Sequence, residues 1–442
     1  MSYHSANKHL LFLGIIIACL LAACSNSEYT GWDDIIVSQD SNGSADSSTT
    51  KLDYLPLDDS EYPYAGIPRI VIVTENYQKI KDRETEIPAK LQIWGEKAPE
   101  SEIMNLTIRG RGNTSWDMPK KSYKIEFINK QSMLGMPKDR DWALIANYAD
   151  KTLMKNYLMY HLSAKLGAYY APRCEFVEFY LNNEYLGVYL LTETIKIAKK
   201  RINLPEGDNS FIVEVDSKSR SYEQIVHSHI IKNDSLGKVF RIHYPKNASQ
   251  QVLDSIENHI QDFEKILKGA SDSSYLSKWI DINEYIKHYW IQEFSKNPDA
   301  CFRTSVFFSW KKDEPIKMGP VWDFDLSLGN YNIDNVNAPD RWYLTDSYWN
   351  RYVFSNKKIT EARNSFWNNN KDIFNLTTNQ IDSVYNLLQN AANNNFKKWN
   401  ILESTTFIYH KKNYKYYREA IDDLKLWAEQ RTKWINSQIR SP

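Results

Sequence analysis

The sequence is poor in cysteine and histidine and carries no net charge. Its 442 residues include four cysteines and nine histidines, and 55 basic residues balance 55 acidic ones. The charge balance excludes the strongly basic surface of a nucleic-acid-binding protein and gives no indication of a polyanionic partner. So few cysteines do not form the disulfide framework of a small secreted domain. The small number of histidines argues against a histidine-rich metal centre, such as that of a metal-dependent hydrolase.

Long hydrophobic runs are also missing, and the longest candidate lies at the N-terminus. Residues 10–21 have the length of a signal-peptide core and are too short to span a bilayer comfortably. This run ends in Leu-Ala-Ala-Cys at residues 21–24, which resembles a bacterial lipobox. We therefore expect cleavage of residues 1–23, a lipid anchor on Cys24, and a membrane-anchored lipoprotein of the cell envelope, at the outer membrane or the cell surface. Cys174 and Cys301 would then either pair or remain two separate buried thiols.

The rest of the chain divides into a tether and a globular region. Residues 24–65 are rich in Ser, Asp, Asn and Thr and cannot bury enough apolar surface to fold alone, which predicts a disordered tether. Residues 66–442 form the predicted domain. Strand-like patterns come first along this domain and helix-like patterns follow. This order predicts an α+β fold with a β-rich first lobe at about 66–195 and a mainly helical second lobe at about 196–442. No internal repeat is present.

Alternation of apolar and polar residues predicts the individual elements of this domain. Strands are expected near residues 70–73, 89–94, 104–109, 122–128, 175–181, 185–192 and 211–215. Apolar residues at three-to-four spacing predict helices at 150–166, near 250–268 and 282–294, and over the last 25 residues. The Asn182-Asn183 pair predicts a tight hairpin turn between two of the strands.

A glycine-rich stretch at residues 109–112 is the first candidate for chemistry. It joins two predicted strands, so it is neither a dinucleotide fingerprint nor a Walker loop. Protein kinases place a glycine loop over the phosphates and a lysine on a following strand; the alternative is a glycine-rich hairpin with solvated lysines. Alternation puts Lys121 on the face of Tyr123, toward the lobe interior, and puts Lys120 and Lys124 on the opposite face. We therefore expect Lys121 to be the phosphate-binding lysine.

Two aspartates separated by one residue form the second candidate. If this stretch is extended, Asp323 and Asp325 project from one face, which suits Mg²⁺ or Mn²⁺ carrying nucleotide phosphates. A calcium-stabilised loop or a pair of capping aspartates is the alternative. Asp299 lies upstream, and residues 304–321 between Asp299 and Asp323 read as a strand hairpin. A catalytic aspartate before a hairpin and a metal aspartate after it is the layout of protein kinases.

Four segments carry a resemblance to a known family. They are Arg-Gly-Arg-Gly-Asn-Thr-Ser-Trp at 109–116 with Pro-Lys-Lys-Ser-Tyr at 119–123, then residues 146–154, 186–193 and 319–325. Together they resemble the spore-coat protein H (CotH) kinase family. The resemblance implies a two-lobed atypical protein kinase fold, ATP as substrate and Mg or Mn as the metal. By position it implies that Asp299 is catalytic, that Asp323 binds metal, and that Glu193 lies where a kinase hinge meets adenine.

The function expected from these residues is phosphoryl transfer. Arg111 and the strand lysine would hold phosphates, Asp323 and Asp325 the metal, and Asp299 the hydroxyl of a Ser or Thr in an envelope or secreted protein. No asparagine follows Asp299 as a second metal ligand, so Ser305 or Asp325 would take that place. The alternative is a non-catalytic surface adhesin or a glycan- or protein-binding lipoprotein, because 29 tyrosines and 14 tryptophans supply stacking surfaces.

Overall fold

The computed structural model describes residues 57, 59–216, 224–230, 239–269, 273–331, 334–404 and 412–439. The predicted signal peptide, Cys24 and most of the predicted tether lie outside these residues. A strand-rich region precedes a largely helical one in the described part, so the predicted α+β class is confirmed. None of the described helices combines the length and the apolar character needed to cross a membrane.

Seven strands of the first region close into a barrel. Their order around the barrel is β1-β2-β3-β4-β5-β7-β6, and parallel pairing of β1 with β6 completes the circle. The strands are β1 Arg69–Thr74, β2 Ile87–Trp94, β3 Met104–Arg111, β4 Ser122–Gln131, β5 Asp139–Ile145, β6 Cys174–Leu181 and β7 Glu184–Glu193. The predicted β-rich lobe is therefore a closed barrel.

Strict alternation in the sequence explains which side chains fill this barrel. Along β2 and β3 every second residue is buried, because successive side chains of a strand point to opposite faces. Ile108, Ile125, Trp142 and Leu191 come from four different strands and lie in one buried apolar cluster. The predicted turn after β6 is also present, with φ of 51° at Asn182 and 68° at Asn183, which a tight hairpin requires.

A second sheet of five strands stands in the part of the chain expected to be mainly helical. Its order is β12-β11-β8-β10-β9, and all of its pairings are antiparallel. The strands are β8 Ser210–Asp216, β9 Ile225–Val226, β10 Val239–Tyr244, β11 Val306–Lys311 and β12 Lys317–Met318. The predicted hairpin is formed by β11 and β12, and the predicted strand at 211–215 is β8, which lies between β11 and β10.

Helices account for most of the rest of the described chain. They are α1 Thr114–Asp117, α2 Lys155–Lys165, α3 Gln250–Gly269, α4 Ser273–Leu276, α5 Ile282–Ser295, α6 Asp334–Asn337, α7 Tyr348–Val353, α8 Lys357–Lys398 and α9 Tyr417–Gln438, with one 3₁₀ turn at Glu75–Tyr77. The predicted stripe of α9 is buried at Ile421, Leu424, Ala428 and Ile435. Helix α9 packs on α8, and α8 also packs on β7 of the barrel.

Helix α2 starts later than the sequence predicted. The sequence placed its start at Asp150, but the helix begins at Lys155 and Asp150 organises the turn before it. The Asp150 carboxylate accepts hydrogen bonds from the backbone N–H groups of Thr152 and Lys155, both at 2.9 Å, and pairs with Nζ of Lys155 at 2.7 Å. The helix ends as predicted, because Gly167 takes a left-handed φ of 69° after its last turn.

The packed region begins earlier than the predicted boundary at residue 65. Asp59 pairs with the buried Arg69 at 2.6 Å, and the Tyr62 ring stacks on Tyr185 with 4.3 Å between centroids. Residues of the expected tether therefore contact the barrel. Cys174 is buried, Cys301 is half-buried, and the two are not joined in a disulfide, so the alternative of two separate thiols describes the structure.

Candidate active site

A cleft of about 800 Å³ lies between the barrel and the second sheet. The barrel contributes the β3–β4 loop and the end of β5, and the other side is formed by the second sheet and the loops at 299–305 and 322–326. Charged side chains from both sides line it: Arg83, Arg109, Arg111, Lys120, Glu214, Arg241, His243, Asp299, Arg303, Asp323 and Asp325. The cleft thus brings together Arg111 and the three predicted aspartates, whereas Lys121 and Glu193 do not line it.

Two glycines shape the β3–β4 loop that covers the cleft. The N–H of Gly110 donates to the carbonyl O of Asp82 at 3.0 Å, and a Cβ on Gly110 would lie only 2.6 Å from that oxygen. Gly112 has a φ of 103°, which glycine adopts without steric cost. Between them, Arg111 has its Cζ 4.9 Å from the ring centroid of Trp322. The loop therefore joins the predicted phosphate-binding arginine to the segment that carries the predicted metal ligands.

The lysine that lines the cleft is Lys120 and not Lys121. Lys120 is buried, and its Nζ donates to the carbonyl O of Val188 at 2.5 Å. Lys121 instead donates from Nζ to the carbonyl O of Trp116 at 2.5 Å. The structure does not place Lys121 at the cleft, because the face of β4 that carries Tyr123 is the closed barrel interior and the cleft lies on the other face.

The backbone at Asp323 is left-handed, with a φ of 63°, and not extended as predicted. Such a conformation costs on the order of 1–3 kcal/mol in a residue other than glycine, so the surroundings must fix it. Asn297 donates from Nδ2 to the carbonyl O of Asp323 at 3.0 Å, and the N–H of the buried Phe324 donates to Oδ1 of Asn156 at 2.7 Å. A turn fixed by these contacts, and not one face of an extended strand, therefore places Asp323 and Asp325 at the cleft.

Burial raises the pKa of all three carboxyl groups in the cleft, and they also affect one another through their charges. Burial raises the pKa of Asp299 to about 7, with a further contribution from the charge of Asp323. Burial and the charges of Asp323 and Asp299 raise the pKa of Asp325 well above its ordinary value. Burial also raises the pKa of Asp323, where the charge of Arg111 opposes the shift and Ser305 donates from Oγ at 3.2 Å. The cluster therefore favours a bound proton or a cation.

The donor set of the cleft fits a metal that is shared with phosphates. In the part of the chain that the structure describes, no group of three or more His, Cys, Asp or Glu side chains is arranged to hold a metal ion by itself. Asp323 and Asp325 both line the cleft, on the side opposite the glycine loop. Two carboxylates suit Mg²⁺ or Mn²⁺, because such ions keep several waters and take the remaining ligands from nucleotide phosphates.

Glu193 belongs to a buried ion pair beside the barrel and not to the cleft. Its carboxylate pairs with Arg173 at 2.9 Å and accepts a hydrogen bond from the Tyr170 hydroxyl at 3.2 Å. Glu193 lies away from the cleft because β7 runs antiparallel to β5, which pairs Glu193 with Trp142. The opposite end of β5, at Ile145, is the end that lines the cleft.

Sequence reasoning missed the cluster that faces the aspartates from the second sheet. Glu214 of β8 accepts a hydrogen bond from Nε2 of His243 at 2.6 Å and is ion-paired with Arg241. Burial alone would raise the pKa of Glu214, but the contacts with His243 and Arg241 outweigh it and lower the pKa to about 2. Polar residues at alternate positions of β10 were the available signal for Arg241 and His243.

Comparison with protein families agrees with this arrangement. Residues 108–435 match the family described as CotH kinase protein, which is most of the chain. The chain belongs to the CotH kinase family. The match includes the glycine loop, Lys120 and all three cleft aspartates of this CotH kinase, and it begins after Arg83. No curated protein matches the chain.

Proposed function

We propose that this CotH kinase family member is an active atypical protein kinase that transfers the γ-phosphoryl group of ATP to a Ser or Thr hydroxyl. The observation that supports the proposal most strongly is the convergence at one cleft of the glycine loop, Lys120, Asp299 and the Asp323–Asp325 pair. Protein kinases need these same parts, because their catalysis consists almost entirely of positioning and charge stabilisation. The barrel would serve as the first lobe of a kinase-like fold, and the second sheet with its helices as the second lobe.

In this proposal the barrel side of the cleft holds the nucleotide phosphates. Arg111 lines the cleft and lies over Trp322, which fixes its guanidinium plane, and the phosphates would add charge-assisted hydrogen bonds to it. Lys120 takes the role that the sequence suggested for Lys121, because only Lys120 lines the cleft. Gly112 lines the cleft without a side chain, so the loop backbone there would lie close to the phosphates.

The opposite side of the cleft would hold the metal and the acceptor hydroxyl. Asp323 and Asp325 would hold Mg²⁺ or Mn²⁺, which would neutralise developing charge on the phosphates. Asp299 orients the acceptor hydroxyl and receives its proton as the new O–P bond forms and the bond to the β-phosphate oxygen breaks, releasing ADP. The raised pKa of Asp299, about 7, suits a group that accepts a proton near neutral pH.

The acceptor and the location of the protein are part of the same proposal. A lipid on Cys24 would keep the kinase at the cell envelope, where its acceptor would be an envelope or secreted protein. ATP is scarce outside the cytosol, so the test must supply it. Purified protein is incubated with labelled ATP, Mn²⁺ or Mg²⁺ and an envelope extract. Metal-dependent transfer of label supports the kinase, and its absence under every metal favours the adhesin or binding-module alternative.

A further inference from the structure

Lys120 has a buried ammonium group whose protein partners are all neutral. Its side chain is 1% exposed, and Nζ donates to the carbonyl O of Val188 at 2.5 Å and to Oδ1 of Asn395 at 2.9 Å. The ring centroid of Tyr189 lies 4.5 Å from Nζ. Burial lowers the pKa of Lys120 well below its ordinary value, and no charged side chain in the described part of the chain counteracts the shift.

This environment does not satisfy all the hydrogen-bond donors of the ammonium group or balance its charge. An ammonium group has three N–H donors, and the residues that the structure describes supply acceptors for two of them. Burying a charge without a counter-charge is costly, and an anion in the cleft would remove that cost. Because Lys120 lines the cleft, a nucleotide phosphate is placed to supply both the third acceptor and the counter-charge.

The residue that orients this lysine comes from the far end of the sequence. Asn395 lies in the last turn of α8, 275 residues after Lys120, and is 1% exposed. Its Oδ1 also accepts a hydrogen bond from the N–H of Val188 at 3.1 Å. A Cβ on Gly187 would lie 2.5 Å from the same oxygen, so the glycine makes room for the amide. One side-chain oxygen thus joins α8, β7 and the cleft lysine.

We propose that Asn395 is a positioning residue for phosphoryl transfer, holding the Lys120 ammonium group where it meets a nucleotide phosphate. The inference rests on the proposed kinase function. Protein kinases hold the corresponding lysine with a glutamate, which also neutralises it. An amide orients the lysine without supplying a counter-charge, which leaves that role to the phosphates.

Other residues at the end of α8 also contact the barrel region, so the role of Asn395 can be tested apart from the docking of the helix. Asn394 donates from Nδ2 to Oε1 of Glu178 at 3.0 Å and to the carbonyl O of Pro63 at 2.7 Å. Trp399 donates from Nε1 to the carbonyl O of Leu186 at 2.9 Å. These contacts remain when Asn395 is changed. Asn394 is also the matched control, because it is a buried neighbour of the same type that does not contact Lys120.

The test is a double-mutant cycle on the affinity for Mg²⁺–ATP. Binding is measured by calorimetry for the unmutated chain and for Asn395→Ala, Asn394→Ala, Lys120→Met and the Lys120→Met/Asn395→Ala double variant. We expect Asn395→Ala to weaken ATP binding about tenfold, the effect of losing a hydrogen bond to a charged group, and Asn394→Ala to change it less than about twofold. In the Lys120→Met background, Asn395→Ala should add less than about twofold, because no ammonium group is left to orient.

Two results would overturn the inference while leaving the kinase proposal intact. They are unchanged ATP affinity in Asn395→Ala, or the same tenfold loss in the Lys120→Met background. Melting curves establish that each variant folds; if Asn395→Ala does not fold, Asn395→Asp carries the test. The carboxylate keeps the contact but neutralises Lys120, so ATP binding should weaken at least about fivefold, and unchanged affinity contradicts the inference. Failure of the unmutated chain to bind ATP would instead overturn the proposed function, and this inference with it.

Discussion

The guanidinium group of Arg111 lies over the indole ring of Trp322, with 4.9 Å between Cζ and the ring centroid. This contact joins the glycine loop of the barrel to the segment that carries Asp323, the residue after Trp322. The charge of Arg111 also opposes the burial-driven rise in the pKa of Asp323. One cation is therefore placed to act on both the phosphates and the metal ligand of the proposed kinase.

Replacing Arg111 tests this double role. Arg111→Gln should weaken binding of Mn²⁺–ATP at least about tenfold, because a charge-assisted hydrogen bond to phosphate is lost together with the cation beside Asp323. The measurement is ATP affinity by calorimetry. Arg140→Gln is the control, since Arg140 pairs with Glu126 on the barrel surface and should leave affinity unchanged. Equal effects of the two changes would contradict the assigned role.

The two neighbouring lysines should differ in their importance for nucleotide binding. Lys120→Met should reduce ATP affinity at least about tenfold, because the lysine that lines the cleft is removed. Lys121→Met should reduce it by less than about twofold, since Nζ of Lys121 is held by the carbonyl O of Trp116. Titration of both variants with Mg²⁺–ATP decides between them, and a larger loss for Lys121→Met would show that the cleft face is assigned incorrectly.

The contrast between the two lysines shows where sequence reasoning reached its limit. Alternation correctly placed Tyr123 and Ile125 on one buried face of β4. It did not reveal that this face closes into a barrel interior, because barrel closure depends on pairing β1 with β6, which are distant in sequence. The lysine that lines the cleft is therefore Lys120, one residue before the lysine that the sequence favoured.

The other parts of the site also differ in whether the sequence alone could predict them. The hairpin of β11 and β12 and the approach of Asp299 to Asp323 follow from local pattern and spacing, and both were predicted. Glu193 was misplaced because the antiparallel register of β7 against β5 cannot be read from either strand alone. Asn395 was missed because its contacts with Lys120 and Val188 depend on the docking of α8 on the barrel.

The stability of the metal-free protein should depend on pH through Asp299. A carboxyl group whose folded pKa is raised contributes stability below its ordinary pKa of 3.8, and that contribution is lost as pH rises through about 7. The Asp299→Asn variant has no carboxyl group at this position, so its stability does not fall in this way as pH rises. In chelator, the stability of the variant relative to the unmutated chain should therefore rise between pH 5 and pH 8, by on the order of 1–3 kcal/mol.

Metal addition provides the complementary measurement for the same carboxylates. Mn²⁺ competes with protons, so the rise in melting temperature that it produces should be larger at pH 8 than at pH 5. Asp372→Asn, which changes an exposed carboxylate of α8, should follow the unmutated chain throughout. A melting difference between Asp299→Asn and the unmutated chain that is independent of pH would contradict the raised pKa.

Membrane attachment should depend on Cys24. Cys24→Ala should move the protein from the membrane fraction to the soluble fraction, because this thiol is the proposed site of the lipid. Cys19→Ala lies within the same N-terminal segment and is the control that should leave fractionation unchanged. Immunoblots of the two fractions provide the measurement, and a Cys24→Ala variant that stays entirely with the membrane would refute the proposed anchor.

The division of roles between Asp299 and Asp323 tests the central claim most directly. Label transfer from ATP and the melting-temperature rise with Mn²⁺–ATP are measured together for the unmutated chain, Asp299→Asn and Asp323→Asn. The unmutated chain should show both. Asp323→Asn should lose both, since a metal ligand acts in the ground state and the transition state, whereas Asp299→Asn should keep the melting-temperature rise and lose transfer at least about a hundredfold. Normal transfer by Asp299→Asn, or neither stabilisation nor transfer in the unmutated chain with any divalent metal, would contradict the kinase account.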